Sequence, residues 1–478
     1  VRESIIEAKD AAFNDSSIAE FNNLPVKIVF VHNGVLKTNI RPTFEGFISR
    51  EFKEGEFERW DIYYLTDLFS DYLFNEYLLT DEDSLRLFKR TLVMLDAPEN
   101  DYRDFKKLVE LQIQKIGNIQ NGRAFKKFFA TQGLLCNVVL HYSAENENLD
   151  AAKECLTYLL LKTWAWVLRE KLDTKSAVIK EVKKLIHIHY KMLDQYFIKT
   201  FPTAILKEGL YSDVSGPFEE IGFPLRCFEY LNYLLYYFNA RLHFPKFDGI
   251  LVEQKSRNLR RKHKDAIIKL IENNHGCYRA LMDCNSITVL NVLFYFLNKR
   301  DMEDVDLQFT GEYILGLLDN IVITKTIRDR FPLLSNDEKV LVKAIAGKDK
   351  SAYEDRSSLL ITILFEFAAL LNADGIYSHY KPAFEGKINL QTAYPNFEEY
   401  DIEQLLFEKH FDQEFYVETN ISLKSNLVEY KATIKEKEIN SVSYRTDAAG
   451  LPFLRCLAHI YFRNEFFPDT WRNMFKDE

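Results

Sequence analysis

Two short constellations in the middle of the chain have residue types and spacing suited to phosphodiester chemistry. In the first, Asp248 precedes the apolar run Ile250-Leu251-Val252, which delivers Glu253-x-Lys255. A pair of carboxylates can hold Mg2+, and a lysine beside them can position or activate the attacking water. Asp248 and Glu253 are therefore candidate metal ligands, and Lys255 completes the candidate catalytic set. The chemistry needs a strand, on which Glu253 and Lys255 share a face, although Asp248 then falls on the opposite one. The competing expectation is a long helix from Ile250 to Asn273, capped by Asp248, with Leu259, Ile267, Leu270 and Ile271 on its buried side. The second constellation is Arg257-Asn258 followed by His263. A neutral histidine can act as general acid or base near pH 7, and an arginine can stabilise charge developing on phosphate.

Both constellations overlap the densest basic segment of the chain. Between Glu253 and Lys269, the cations Lys255, Arg257, Arg260, Arg261, Lys262, Lys264 and Lys269 face only Glu253 and Asp265. Clustered cations of this kind bind phosphates by releasing counterions. The first six of them are the expected nucleic-acid contacts. A second segment sets Lys175, Lys180, Lys183, Lys184 and Lys191 against Glu181. In each case the alternative is a solvated helix face. His187 and His189 sit in helical text and point about 200° apart, so they cannot chelate one metal. Gly347-Lys348-Asp349-Lys350-Ser351 lacks the upstream glycine and the preceding strand of a phosphate loop.

The elements that must position these residues are mostly helical. Among 478 residues there are 17 Gly and 12 Pro, where average usage would give roughly 33 and 24. Such sparse turn chemistry disfavours an all-β sandwich and excludes Pro/Gly-rich disorder. The net charge is −9, so a nucleic-acid site must be a local patch. Six scattered cysteines without a Cys-x-x-Cys pair point to a reducing, cytoplasmic compartment. The most apolar stretches, such as Leu156–Leu168 and Ile287–Leu297, are too short or too polar for a membrane span of about 20 residues, so no membrane partner is expected.

The fold class expected is mainly α. An irregular multi-helix body over 84–380 follows a partial N-terminal α/β unit over 1–80. Residues 385–478 are expected to hold an acidic segment, a small β-meander and a terminal helix. In the first unit, Val26–Val31 is β-branched and ends at Asn33-Gly34, and Phe57–Trp60 is a possible second strand. The nearly continuous apolar run predicts burial of the first strand on both faces. The meander is placed at Phe415–Ser422, Asn426–Ile434 and Ile439–Arg445, where polar and Thr/Val/Tyr residues alternate. Ser335-Asn336-Asp337-Glu338 reads as a capping box, with Gly347 closing the helix that follows.

Three resemblances follow from these residues. Asp248 with Glu253-x-Lys255 resembles the PD-(D/E)xK nuclease signature, and implies Mg2+ as cofactor; there, however, the Asp usually lies on a preceding strand with a longer gap. Arg257-Asn258-x4-His263 resembles the motif of HEPN ribonucleases, in which Arg and His meet across a dimer; Arg455 and His459 form a weaker version with a different spacing. Residues 1–80 resemble the distal half of the restriction-endonuclease-like fold of bacterial defence proteins. The opening helix, Val26–Val31, and Phe57–Asp61 leading into Tyr63–Leu79 carry that likeness. It implies that the catalytic strands precede Val1. The functional expectation is a nucleic-acid-directed bacterial defence protein, whose helical part senses or scaffolds and is attached to a nuclease-like domain. The alternatives are a DNA nuclease using Asp248, Glu253 and Lys255, a ribonuclease using Arg257 and His263, or a structural interaction module. A protein partner or a second copy of the chain is expected.

Overall fold

A computed structural model describes residues 2–11, 27–32, 36–37, 39–61, 64–65, 81–97, 100–117, 122–211, 218–243, 253–436 and 442–476. The chain divides into two compact units, Val1–Leu85 and Arg86–Glu478. Among the described residues it is mainly helical, with one sheet of two strands and one of three.

In the first unit, β1 (Ile28–Val31) and β2 (Phe57–Trp60) pair in parallel, with Ile28 opposite Phe57 and Val31 opposite Trp60. Parallel neighbours need a crossover, and the helix Arg41–Glu51 lies within it. Phe44 packs between Phe30 and Phe57, at 6.0 and 6.2 Å between ring centroids. Burial of β1 on both faces is not met among the described residues: Ile28–Phe30 are half-buried and Val31 is exposed. Most of Tyr63–Leu79 and the Asn33-Gly34 turn lie outside the described residues.

The second unit is built around helices that are apolar on every side. A helix without a polar face has to be enclosed. Ser286–Phe296 and Leu359–Leu370 are such helices, with Glu366 their single charge, and almost every residue of each, and of the more polar Leu149–Arg169, is buried. The apolar stretches Leu156–Leu168 and Ile287–Leu297 are therefore buried inside the second unit. No helix among the described residues is long and apolar enough to cross a membrane.

The three-stranded sheet sits near the C-terminal end of this unit. β3 (Ser357–Ser358) runs parallel to β4 (Asn389–Pro395), which pairs antiparallel with β5 (Tyr416–Ile421). It is not the expected meander. Phe415–Ser422 does supply a strand, but its partner is the earlier segment Asn389–Pro395. Asn426–Ile434 falls largely within the helix Leu427–Glu436, because Leu427, Tyr430 and Ile434 line one helical face and are buried together. Arg445–Ala448 is also helical, while 437–441 lies outside the described residues. The segment is anchored by a buried ion pair: Arg472, with no exposed surface, donates to both oxygens of the equally buried Glu366.

Candidate nucleic-acid interface

Glu253–Asn273 is a helix. Leu259, His263, Ile267, Leu270 and Ile271 recur at helical spacing, and the last four are buried. That stripe overrides the short apolar run before Glu253, and it corrects the strand on which Glu253 and Lys255 were to share a face. Positions two apart on a helix lie about 200° apart around its axis, not on one face. Asp248 lies outside the described residues. Among the described residues, no group of three His, Cys, Asp or Glu side chains is placed to hold a metal ion.

Arg257 and His263 are separated by about 120° around the axis and about 9 Å along it. Arg257 is exposed, whereas His263 is 3% exposed. The His263 ring stacks on Phe238 at 3.9 Å with 2° between planes, and its Nδ1 lies 2.8 Å from the Tyr295 hydroxyl. Burial, with Arg241 and Arg260 nearby, pulls its pKa down to about 3. It is a neutral core ring at pH 7, out of reach of a phosphodiester. His459, on the weaker motif, is likewise buried and lowered to about 3 by burial, with Nδ1 2.7 Å from the Asn464 carbonyl.

Much of the basic segment is neutralised inside the fold. An acidic run before and at the start of the helix Asp304–Arg328 supplies the counter-charges. Lys264, 1% exposed, lies 2.7 Å from Asp306 and 3.4 Å from Asp301. Arg260 reaches Asp301 at 3.2 Å. Arg261 contacts Asp265 at 2.8 Å, Asp306 at 3.1 Å and Glu303 at 3.4 Å. Asp306 also accepts from the Glu303 backbone N–H at 2.9 Å and so caps its own helix. Three of the six expected nucleic-acid contacts are thus spent on ties within the fold. Lys262 is exposed.

The second basic segment has the opposite character. The helix Ser176–Ala204 buries Val178, Val182, Leu185, Ile186, His189, Tyr190, Met192, Leu193 and Phe197. Lys180, Lys184, His187 and Lys191 follow spacings of four, three and four on the other side, and Lys183 flanks them. The stripe is about 17 Å long. All four of these lysines are exposed. Lys184 contacts Glu181 at 2.9 Å, while Lys180, Lys183 and Lys191 make no ion pair among the described residues. The helix Gly122–Glu145 packs alongside through Gly133, where an added Cβ would lie 3.8 Å from Ile188. It carries the exposed Lys126 and Lys127 about 10 Å before that contact. This arrangement can neutralise several phosphates without asking a buried side chain to move.

By charge alone, both segments fit a phosphate site. The signal that separates them is the acidic run Asp301, Glu303, Asp304 and Asp306, which lies outside either segment. Comparison of the chain with protein-family models, with curated proteins and with solved structures finds no match.

Proposed function

We propose that the chain is a nucleic-acid-directed bacterial defence protein of the cytoplasm, whose helical unit is a polyanion-binding scaffold joined to an α/β unit of restriction-endonuclease type. The observation that carries the reading is the stripe of exposed lysines at 180, 183, 184 and 191 in a chain of net charge −9. Such contrast concentrates a phosphate backbone at one face. The parallel β1–β2 pair, joined through a helix, supports the α/β assignment. All six cysteines are free thiols, which supports a reducing compartment. On this reading the helical unit binds and does not cut, since neither the Glu253–Lys255 nor the Arg257–His263 geometry is one that catalysis needs.

The test uses the whole chain with fluorescent short duplex DNA and single-stranded RNA. Replacing Lys180, Lys183 and Lys191 with Glu should weaken binding by about two orders of magnitude. Equal binding by wild type and variant overturns the placement of the site. Mg2+-dependent cleavage that is abolished by Glu253→Gln would overturn the non-catalytic assignment.

A further inference from the structure

We propose that a cleft in the second unit, separate from the lysine stripe, binds a short extended peptide segment carrying both an acidic and a basic side chain. The cleft has a volume of about 720 Å3. One wall is a single face of the helix Phe223–His243, where Arg226, Glu229, Asn232 and Tyr233 recur at spacings of three, three and one. From Gly222 to Tyr233 that wall runs about 17 Å. An extended chain advances about 3.3 Å per residue, so the wall spans about five residues.

The charges in the cleft are balanced. Lys106, Arg226 and Arg463 line it, and so do Glu154, Glu229 and Glu338. A polyanion finds no net attraction there, in contrast to the lysine stripe. Each carboxylate is fixed through one oxygen. Lys106 and the Tyr461 hydroxyl reach Glu154 Oε1 at 2.7 and 2.5 Å. Lys153 reaches Glu229 Oε1 at 2.8 Å, and Arg463 pairs with Glu338 Oε1. Among the described residues nothing donates to the Oε2 atom of any of the three, and these oxygens can accept from a ligand.

The floor adds a buried hydroxyl that the protein does not pair, and an amide beside it. Asn285 lines the cleft and is 7% exposed. Two backbone N–H groups, of Leu281 and Met282, donate to its Oδ1 at 3.1 and 3.0 Å. Those donors fix the amide orientation and leave Nδ2 without a partner among the described residues. Thr288 stands one turn further along and is 1% exposed; its hydroxyl has no hydrogen-bond partner among the described residues. An orphaned buried hydroxyl costs free energy unless something pairs with it. Amide and hydroxyl donors over a floor, with acceptors on the walls, match the alternating C=O and N–H of an extended backbone. Paired charges of both signs match side chains of both signs.

The experiment arrays capped five-residue peptides in which one Arg and one Asp occupy every pair of positions in an alanine background. The intact chain is the analyte, and the all-alanine peptide and ATP are comparators. At least one mixed-charge peptide should bind about tenfold more tightly than the all-alanine peptide. Arg226→Glu should abolish that preference. Thr288→Val is the second variant, because removing an unpaired hydroxyl leaves the fold intact; it should weaken the peptide several-fold. The proposal is overturned if no mixed-charge peptide exceeds the all-alanine one, if ATP binds as tightly as the best peptide, or if both variants retain wild-type affinity.

Discussion

Replacing Asp306 with Asn should be among the more damaging single changes in the helical unit. Asp306 is fully buried and receives Lys264 at 2.7 Å, Arg261 at 3.1 Å and the Glu303 N–H at 2.9 Å. The variant keeps the volume and removes the charge. Lys264, itself 1% exposed, is left with the Asp301 carboxylate at 3.4 Å and the Asp301 carbonyl at 3.1 Å. Breaking one side of a buried pair costs about 3–5 kcal/mol, and the longer Asp301 contact offsets only part of it. That is a large part of a typical stability of about 5–15 kcal/mol. Lys264→Met should cost less, about 1–3 kcal/mol, since Asp306 keeps Arg261 and its capping role. The double variant should then cost less than the sum of the singles, with a coupling of about 2 kcal/mol or more. Urea unfolding followed by far-UV circular dichroism measures all four proteins. Additive losses, or a loss below about 1 kcal/mol for Asp306→Asn, would show that the basic segment is not tied into the fold.

Three further outcomes are expected. Gly316→Ala should destabilise by about 1–3 kcal/mol through overpacking, because a Cβ there would meet the Tyr278 ring at 2.5 Å; thermal melting checks it. Thr446→Val should cost about 2–3 kcal/mol, since the hydroxyl bridges Trp164 Nε1 at 2.9 Å and Glu403 Oε1 at 2.5 Å inside the core; restored stability in Thr446→Ser would separate lost hydrogen bonding from lost packing. His189 is buried, with Nε2 2.9 Å from the Thr157 hydroxyl, and burial lowers its pKa to about 3. The unfolded chain therefore binds a proton below about pH 6.5 that the folded chain refuses, and wild-type stability falls as pH falls through that window toward pH 3. Relative to His189→Gln, wild type should lose about 1.4 kcal/mol per pH unit between pH 6 and 4, and a pH-independent difference in urea midpoints would contradict the assignment.

The helical character and the central helices were legible because they depend on local pattern. Leu156–Leu168, apart from Lys162, and Ile287–Leu297 carry no charge, and that requires enclosure. The helix Glu338–Ile345 was legible too, although Asp337 caps it, through the Lys339 N–H at 2.8 Å, and Ser335 does not. Partners distant in sequence were not legible. Lys264 and Asp306 are 42 residues apart, and Arg472 and Glu366 are 106 apart. A count of charges within one window cannot show that a lysine is consumed elsewhere. β4 escaped notice for a related reason: it is only seven residues long, and pairing with β5 on one side and β3 on the other makes it a strand. His263 looked catalytic by spacing, but its position under Phe238 and beside Tyr295 depends on contacts from other helices.

The most direct test of the lysine stripe is the salt dependence of nucleic-acid binding by the intact chain. Each phosphate neutralised on duplex DNA contributes about −0.9 to the slope of log affinity against log salt. Removing Lys180, Lys183, Lys184 and Lys191 together, each to Ala, should make that slope shallower by about 3 to 4. Arg260→Ala should leave the slope unchanged, because its charge is spent on Asp301. A slope that stays put in the quadruple variant and falls in Arg260→Ala would contradict the placement of the polyanion surface on the Ser176–Ala204 helix.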